Sequence, residues 1–141
     1  MLAERNKTVV KHISEMDYSG DAEKMMEQYR EFYSPLFVGH NPFGDAGLDQ
    51  FIENGLSIMN AFTDFESSLE DLIAEGDKVV ERYSMSGIHT GDLFGVPGSG
   101  RRIKFDGVMI IRFEDGKIAE TWNYMDYVGL MQQLGLPAKV R

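Results

Sequence analysis

Histidine is the side chain whose ordinary pKa lies nearest neutrality, so the three histidines are the first place to look for acid–base chemistry. None stands in His-x-x-x-His spacing or in a zinc protease motif, so no metal site is expected. With no cysteine, disulfides, thiolate metal sites, iron–sulfur clusters and cysteine nucleophiles are excluded. His12 falls on a helical pattern and reads as surface or boundary. His40, at a strand end before Asn41-Pro42, and His89, inside Gly87-Ile88-His89-Thr90-Gly91, suit general acid–base work, and each equally suits a hydrogen-bonded polar residue at a strand end. Ser99 sits in Gly98-Ser99-Gly100, outside any nucleophile elbow and with no evident partner base, so a serine nucleophile is not expected. Gly87, Gly91, Gly95, Gly98, Gly100 and Gly107, interrupted by Arg101-Arg102, raise phosphate binding. That segment joins two strands and lacks a Gly-Lys-Ser/Thr ending, which favours a wide hairpin loop over a cavity mouth. Asp126, ahead of the last helix, reads as an N-cap. The nine methionines and many aromatics suit an adaptable apolar pocket or a plain core.

The elements that must position these residues change period halfway along the chain. Residues 8–16 put Val9, Ile13 and Met16 on one helix face. Ser19-Gly20-Asp21 breaks the pattern, and Asp21 suits the N-cap of a second helix whose apolar face is Met25, Met26, Tyr29, Phe32 and Tyr33. Pro35 ends it. Residues 36–40 form a short strand closed by Asn41-Pro42, and a third helix follows with Leu48, Phe51, Ile52, Leu56, Met59 and Phe62 as its stripe. Alternation then takes over at 65–74, 79–90, 102–113 and 118–125, with turns at Glu75-Gly76-Asp77-Lys78 and at Asp115-Gly116. In the third of these strands Ile103, Phe105, Met109, Ile111 and Phe113 share a face; in the fourth, Trp122 and Tyr124 alternate with Asn123 and Met125. A short helix over 127–134 stops at Gly135 and Pro137. Helices followed by consecutive antiparallel strands predict an α+β domain with helices on one face of a curved sheet.

The 141 residues suit a single domain over 1–141. Fourteen Lys and Arg against 23 Asp and Glu give a net charge of −9, which argues against nucleic acid and an anionic membrane surface as partners. The charged start Glu4-Arg5-Asn6-Lys7 does not suit a signal peptide and no apolar run reaches membrane-spanning length, so a cytoplasmic protein is expected. Asn6-Lys7-Thr8 is then a chance match to the glycosylation pattern.

Asn6-Lys7, His40 before Asn41-Pro42, Ala61-Phe62-Thr63-Asp64, Glu75-Gly76-Asp77, Gly87-Ile88-His89-Thr90-Gly91, Phe94-Gly95-Val96-Pro97, Asp115-Gly116-Lys117-Ile118, Glu120, Trp122, Asp126 and the tail Gly129 to Gly135 together resemble a SnoaL-like polyketide cyclase, within the nuclear transport factor two-like superfamily. The resemblance implies a cone: a curved mixed or antiparallel sheet wrapped around about three N-terminal helices, enclosing an apolar pocket, commonly in a homodimer. Polyketide cyclases of this family use an Asp on the last strand as base, helped by a His; aligned on Asp115-Gly116-Lys117-Ile118, those positions hold Asn123 and Met109. An amide cannot accept a proton at neutral pH, although it can donate to an enolate oxygen. In limonene epoxide hydrolase an Asp-Arg-Asp set would fall on Ser84, Arg82 and Asn123, and a water-positioning Asn near His40. Ketosteroid isomerase has its protonated Asp where Met109 lies. The implied pocket holds His40, Arg82, Ser84, Met109 and Asn123, lined by Tyr33, Phe37, Phe62, Phe105 and Met125, with His89 joining them unless a bulge near Gly87 turns it away. The expected activity is cofactor-free proton abstraction beside a carbonyl of a small to medium apolar compound, with His40 as base and Asn123 and Arg82 holding the oxyanion. The alternatives are a noncatalytic pocket protein for a hydrophobic ligand and a dimerising domain with a filled interior.

Overall fold

The computed structural model describes residues 2–16 and 22–136. Helices α1 (Leu2–Ser14) and α2 (Ala22–Phe32) lead into strand β1 (Tyr33–Asn41) and a short strand β2 (Gly44–Ala46). Helix α3 (Leu48–Asn60) precedes four long strands, β3 (Phe62–Glu75), β4 (Lys78–His89), β5 (Arg102–Glu114) and β6 (Lys117–Met125), and α4 (Tyr127–Gln133) closes the described chain. The fold is α+β, a curved, unclosed six-stranded sheet in the order β2-β1-β6-β5-β4-β3. All neighbours are antiparallel except β1 and β6, which run parallel.

Several features differ from the sequence expectation: α1 runs over Leu2–Ser14 instead of 8–16, so Met16 lies past its end. Chain period gives no partner for the strand after the second helix, and it is the parallel pairing with β6 that carries β1 back to Tyr33, directly after α2. Pro35 lies within that strand, where it has no N–H to give the ladder, and the register shifts between Tyr33 and Val38. Asn41-Pro42 turns the chain into the extra strand β2 instead of ending the sheet. Phe62 begins β3 instead of finishing the stripe of α3. The Asp21 cap and the Pro137 stop lie outside the described residues.

Turn chemistry sets the register. Asp115 and Gly116 both take positive φ, 51° and 77°, so the hairpin closes with Glu114 opposite Lys117 and, past one bulge, Met109 opposite Asn123. Gly76 at φ 60° does the same between β3 and β4, placing Glu75 opposite Lys78. The inner face then builds in rows: Ala74, Val79, Ile111 and Thr121; next Leu72, Glu81, Met109 and Asn123; next Leu69, Tyr83, Gly107 and Met125.

Two apolar clusters fill the space under that face. One joins Val10 of α1 and Leu48 and Ile52 of α3 to Tyr33, Phe37, Val79, Ile111, Phe113 and Ile118. The other joins Ala61, Phe62, Ile103 and Phe105 to Leu93 and to Leu130, Met131 and Leu134 at the C-terminal end. Burying such side chains stabilises by roughly 1.5–3 kcal/mol each. Between the clusters burial falls: Glu81, Met85, Met109, Asn123 and Met125 are only partly covered.

Candidate active site

The gap between the clusters brings together several polar groups of the inner face. Glu81 on β4 lies directly across from Met109 on β5, which lies directly across from Asn123 on β6. Two residues along β4, Tyr83 is buried, and its hydroxyl donates to Asn123 Oδ1 at 2.6 Å. The bond crosses β5 because Gly107, opposite Tyr83, offers no side chain; a Cβ there would collide with the tyrosine hydroxyl and ring. Gly87 serves a similar end, since a Cβ there would come within 2.9 Å of Phe62. These two glycines leave room for rings, and Gly95 and Gly100 take positive φ in the connection between β4 and β5. Gly91 and Gly98 lie against the backbone of Ala61 and Thr90, so close approach and turn geometry account for the glycines of this segment without a phosphate.

Electrostatics at this site follow from lost water. The Glu81 carboxyl is pushed up to about 7, and desolvation is the cause, with no cation or hydrogen-bond donor set against it. Burial likewise pushes Tyr83 up to about 12, partly offset by its bond to Asn123 and reinforced by the Glu81 charge. Tyr83 is therefore a neutral donor at any physiological pH, and it locks the Asn123 amide with its oxygen engaged and its Nδ2 hydrogens available. A carboxyl that titrates near neutrality beside an anchored amide donor is an arrangement suited to moving a proton and holding an oxyanion.

The sequence-expected site is divided between two faces. Tyr33, Phe37, Phe62, Phe105, Met109, Asn123 and Met125 belong to the inner face or its clusters. His40, Arg82 and Ser84 do not join them. The inward anchors Phe37 and Gly39 put His40 on the outer face, and Val79 and Tyr83 do the same for Arg82 and Ser84, because side chains alternate. His40 stacks on Trp122 with ring centroids 5.6 Å apart and is held by Asp45 and Glu120, each at 2.7 Å. These two hydrogen bonds, to Glu120 first and then Asp45, raise its pKa, and Glu120, lowered chiefly by His40, also accepts from Arg112 at 3.2 Å. Arg82 pairs with Asp71 at 2.6 Å, and Ser84 donates to Glu70 at 2.8 Å. None of the three meets the Asn123 amide, which corrects the expected base and oxyanion pair.

His89 is inward and fully buried, at the far end of β4 from Glu81. Its Nδ1 lies 3.0 Å from Ser99 Oγ, so the serine does have an imidazole partner that the sequence left unseen. Ser99 N also donates to Nδ1 at 3.3 Å, and the pair ties the β4–β5 connection down onto β4. Asp126 caps α4, accepting from Gly129 N at 2.9 Å. His12 is exposed, edge-on to Phe32. Among the described residues no cluster of three or more His, Asp or Glu is arranged to hold a metal, and no helix is long and apolar enough to cross a membrane.

Sequence reasoning missed Glu81 and Tyr83. The signal was present: both share the odd-numbered face of 79–90 with Val79, but Val80 and Ile88 make the even face look as apolar, so alternation alone does not choose.

Comparison with known proteins agrees with this architecture. The family model for SnoaL-like polyketide cyclases matches residues 11–134. Aklanonic acid methyl ester cyclase of Streptomyces peucetius is 34% identical over 109 residues, covering 76% of this chain and 74% of the relative. Nogalonic acid methyl ester cyclase of Streptomyces nogalater is 36% identical over 74 residues, covering 51% and 55%. A structure from Jannaschia sp. CCS1, described as a SnoaL-like polyketide cyclase, superposes with a TM-score of 0.85 at 22% identity, covering 97% of this chain and 96% of that one. The chain belongs to the SnoaL-like polyketide cyclase family, with the nuclear transport factor two-like α+β fold.

Proposed function

We propose that the protein is a cofactor-free cyclase that acts on a small to medium apolar carbonyl compound through an enolate, closing a ring by intramolecular aldol addition. Its relatives support the reaction class, two of them being named as cyclases of aklanonic and nogalonic acid methyl esters. The observation that carries the reading is the Tyr83–Asn123 pair: an amide anchored through its oxygen, on a partly covered stretch of the inner face, keeps Nδ2 to donate to an enolate oxygen. A noncatalytic ligand-binding protein is the second reading, favoured by Asn123 and Met109 standing where the family's Asp and His are expected. We also propose that two copies pair through the outer face, where the row Val80, Ile110 and Trp122 and the exposed Tyr124 are apolar or aromatic.

The test is turnover of aklanonic acid methyl ester, followed as a mass-neutral change in absorbance, by the wild type and by Asn123→Leu. Loss of one oxyanion donor is expected to lower kcat by about 10²–10³. A wild type that shifts in melting temperature with the ester but leaves it unchanged would establish the binding-protein reading instead.

A further inference from the structure

We propose that the general base of this chain is Glu81 on β4, so that the proton-accepting carboxylate has moved two strands away from the last-strand position that Asn123 occupies. This rests on the enolate reading above. The geometry is one inner row: Glu81, Met109 and Asn123 lie opposite one another on three adjacent strands, about 10 Å from the first backbone to the third at ordinary strand spacing. The curve of the sheet turns their side chains toward the same space, with Met109 as an apolar floor between them. A carbonyl bound at Asn123 then has a carboxylate in the same row to receive a proton from its neighbouring carbon.

The groups facing Glu81 leave the carboxyl's charge unneutralised. Leu72 lies across from it on β3, Met109 on β5, and α1 brings Val9, Val10 and Ile13 to the same apolar cluster. Tyr83, two residues along, is the titratable neighbour, and it donates to Asn123 instead. Desolvation without a partner brings the carboxyl to about 7, where a base works best at neutral pH because it is both substantially ionised and strong enough to take the proton. A structural role would call for a cation or a donor beside the carboxylate; the causes of its shift contain neither.

The step balances within substrate and protein. The C–H bond beside the carbonyl breaks, the proton goes to a Glu81 oxygen, and the electron pair forms the enolate, whose oxygen accepts from Asn123. The enolate carbon then bonds to a second carbonyl carbon of the same molecule. The resulting alkoxide takes the proton back from Glu81, restoring the carboxylate. No oxidant, reductant or water is consumed.

The experiment compares wild type, Glu81→Gln, Glu81→Asp and the double variant Glu81→Gln/Asn123→Asp on aklanonic acid methyl ester, across pH 5 to 9. Expected are a kcat/KM that climbs with pH to a plateau above about 7 in the wild type, a fall of about 10²–10⁴ in Glu81→Gln with loss of that climb, partial activity in Glu81→Asp, and partial recovery in the double variant, in which carboxylate and amide donor have exchanged strands. Melting curves at pH 5, where the native carboxyl is protonated, check that Glu81→Gln folds. An active wild type with an unimpaired Glu81→Gln, or one that keeps the same pH profile, overturns the assignment and leaves the cyclase reading intact. A wild type inert on the ester overturns both.

Discussion

A carboxyl set among Leu72, Met109 and Tyr83 gains nothing by ionising, and the cost appears in stability as well as chemistry. Glu81 has a folded pKa, about 7, above the ordinary value for glutamate, so its favourable contribution is fully present below the unfolded pKa and is lost as pH rises through 7. Glu81→Gln keeps the shape and removes the charge. The variant should melt with the wild type at pH 4 and several degrees higher at pH 8, a gain of at most about 3 kcal/mol. Differential scanning calorimetry at the two pH values checks this, and equal melting points at pH 8 would show that the carboxyl is not desolvated. At this scale the sequence was half legible. Asn123 and Met109 could be placed by counting from the Asp115-Gly116 turn, whereas His40, Arg82 and Ser84 each fell one residue away from an inward position, and one residue is the whole difference between two faces of a strand.

Between strands, the site depends on a space that no side chain fills. Tyr83 reaches Asn123 across β5 only because Gly107 is bare, so Gly107→Ala must drive the ring aside and break the hydroxyl–amide bond. Overpacking of this kind costs typically 1–3 kcal/mol, and chemical denaturation should show a loss in that range together with a fall in cyclase turnover. Because the two residues share one contact, Gly107→Ala should cost clearly less in a Tyr83→Leu background, and additive losses would sink the account. Element order and most boundaries followed from period and turn residues. The parallel pairing of β1 did not, since nothing in residues 33–41 names a partner about eighty residues away.

Over the whole molecule the two faces of the sheet have separate uses. The inner face carries the apolar clusters and the Glu81–Asn123 row, while the outer face carries a charged network of His40, Asp45, Glu120 and Arg112 beside the row Val80, Ile110 and Trp122. If two copies meet on that outer face, Ile110→Lys should convert a dimer to a monomer in light scattering while leaving the fold intact by circular dichroism. A wild type that scatters as a monomer at all concentrations would dismiss the pairing. The fold class was readable as α+β from the change of period; the addition of β1 and β2 at the β6 edge was not.

Strand β1 lies between β2 and β6, so its neighbours come from residues 44–46 and 117–125. During synthesis, the first half of the chain therefore emerges with one long edge of β1 unclaimed until the last strand has left the ribosome. The helices and the β3–β4–β5 meander can form in order as they appear, but the sheet is sealed by its most distant pairing, a late and entropically demanding event. Birth of the candidate site has the same timing, because Asn123 and the strand that completes the sheet are delivered by the same nine residues.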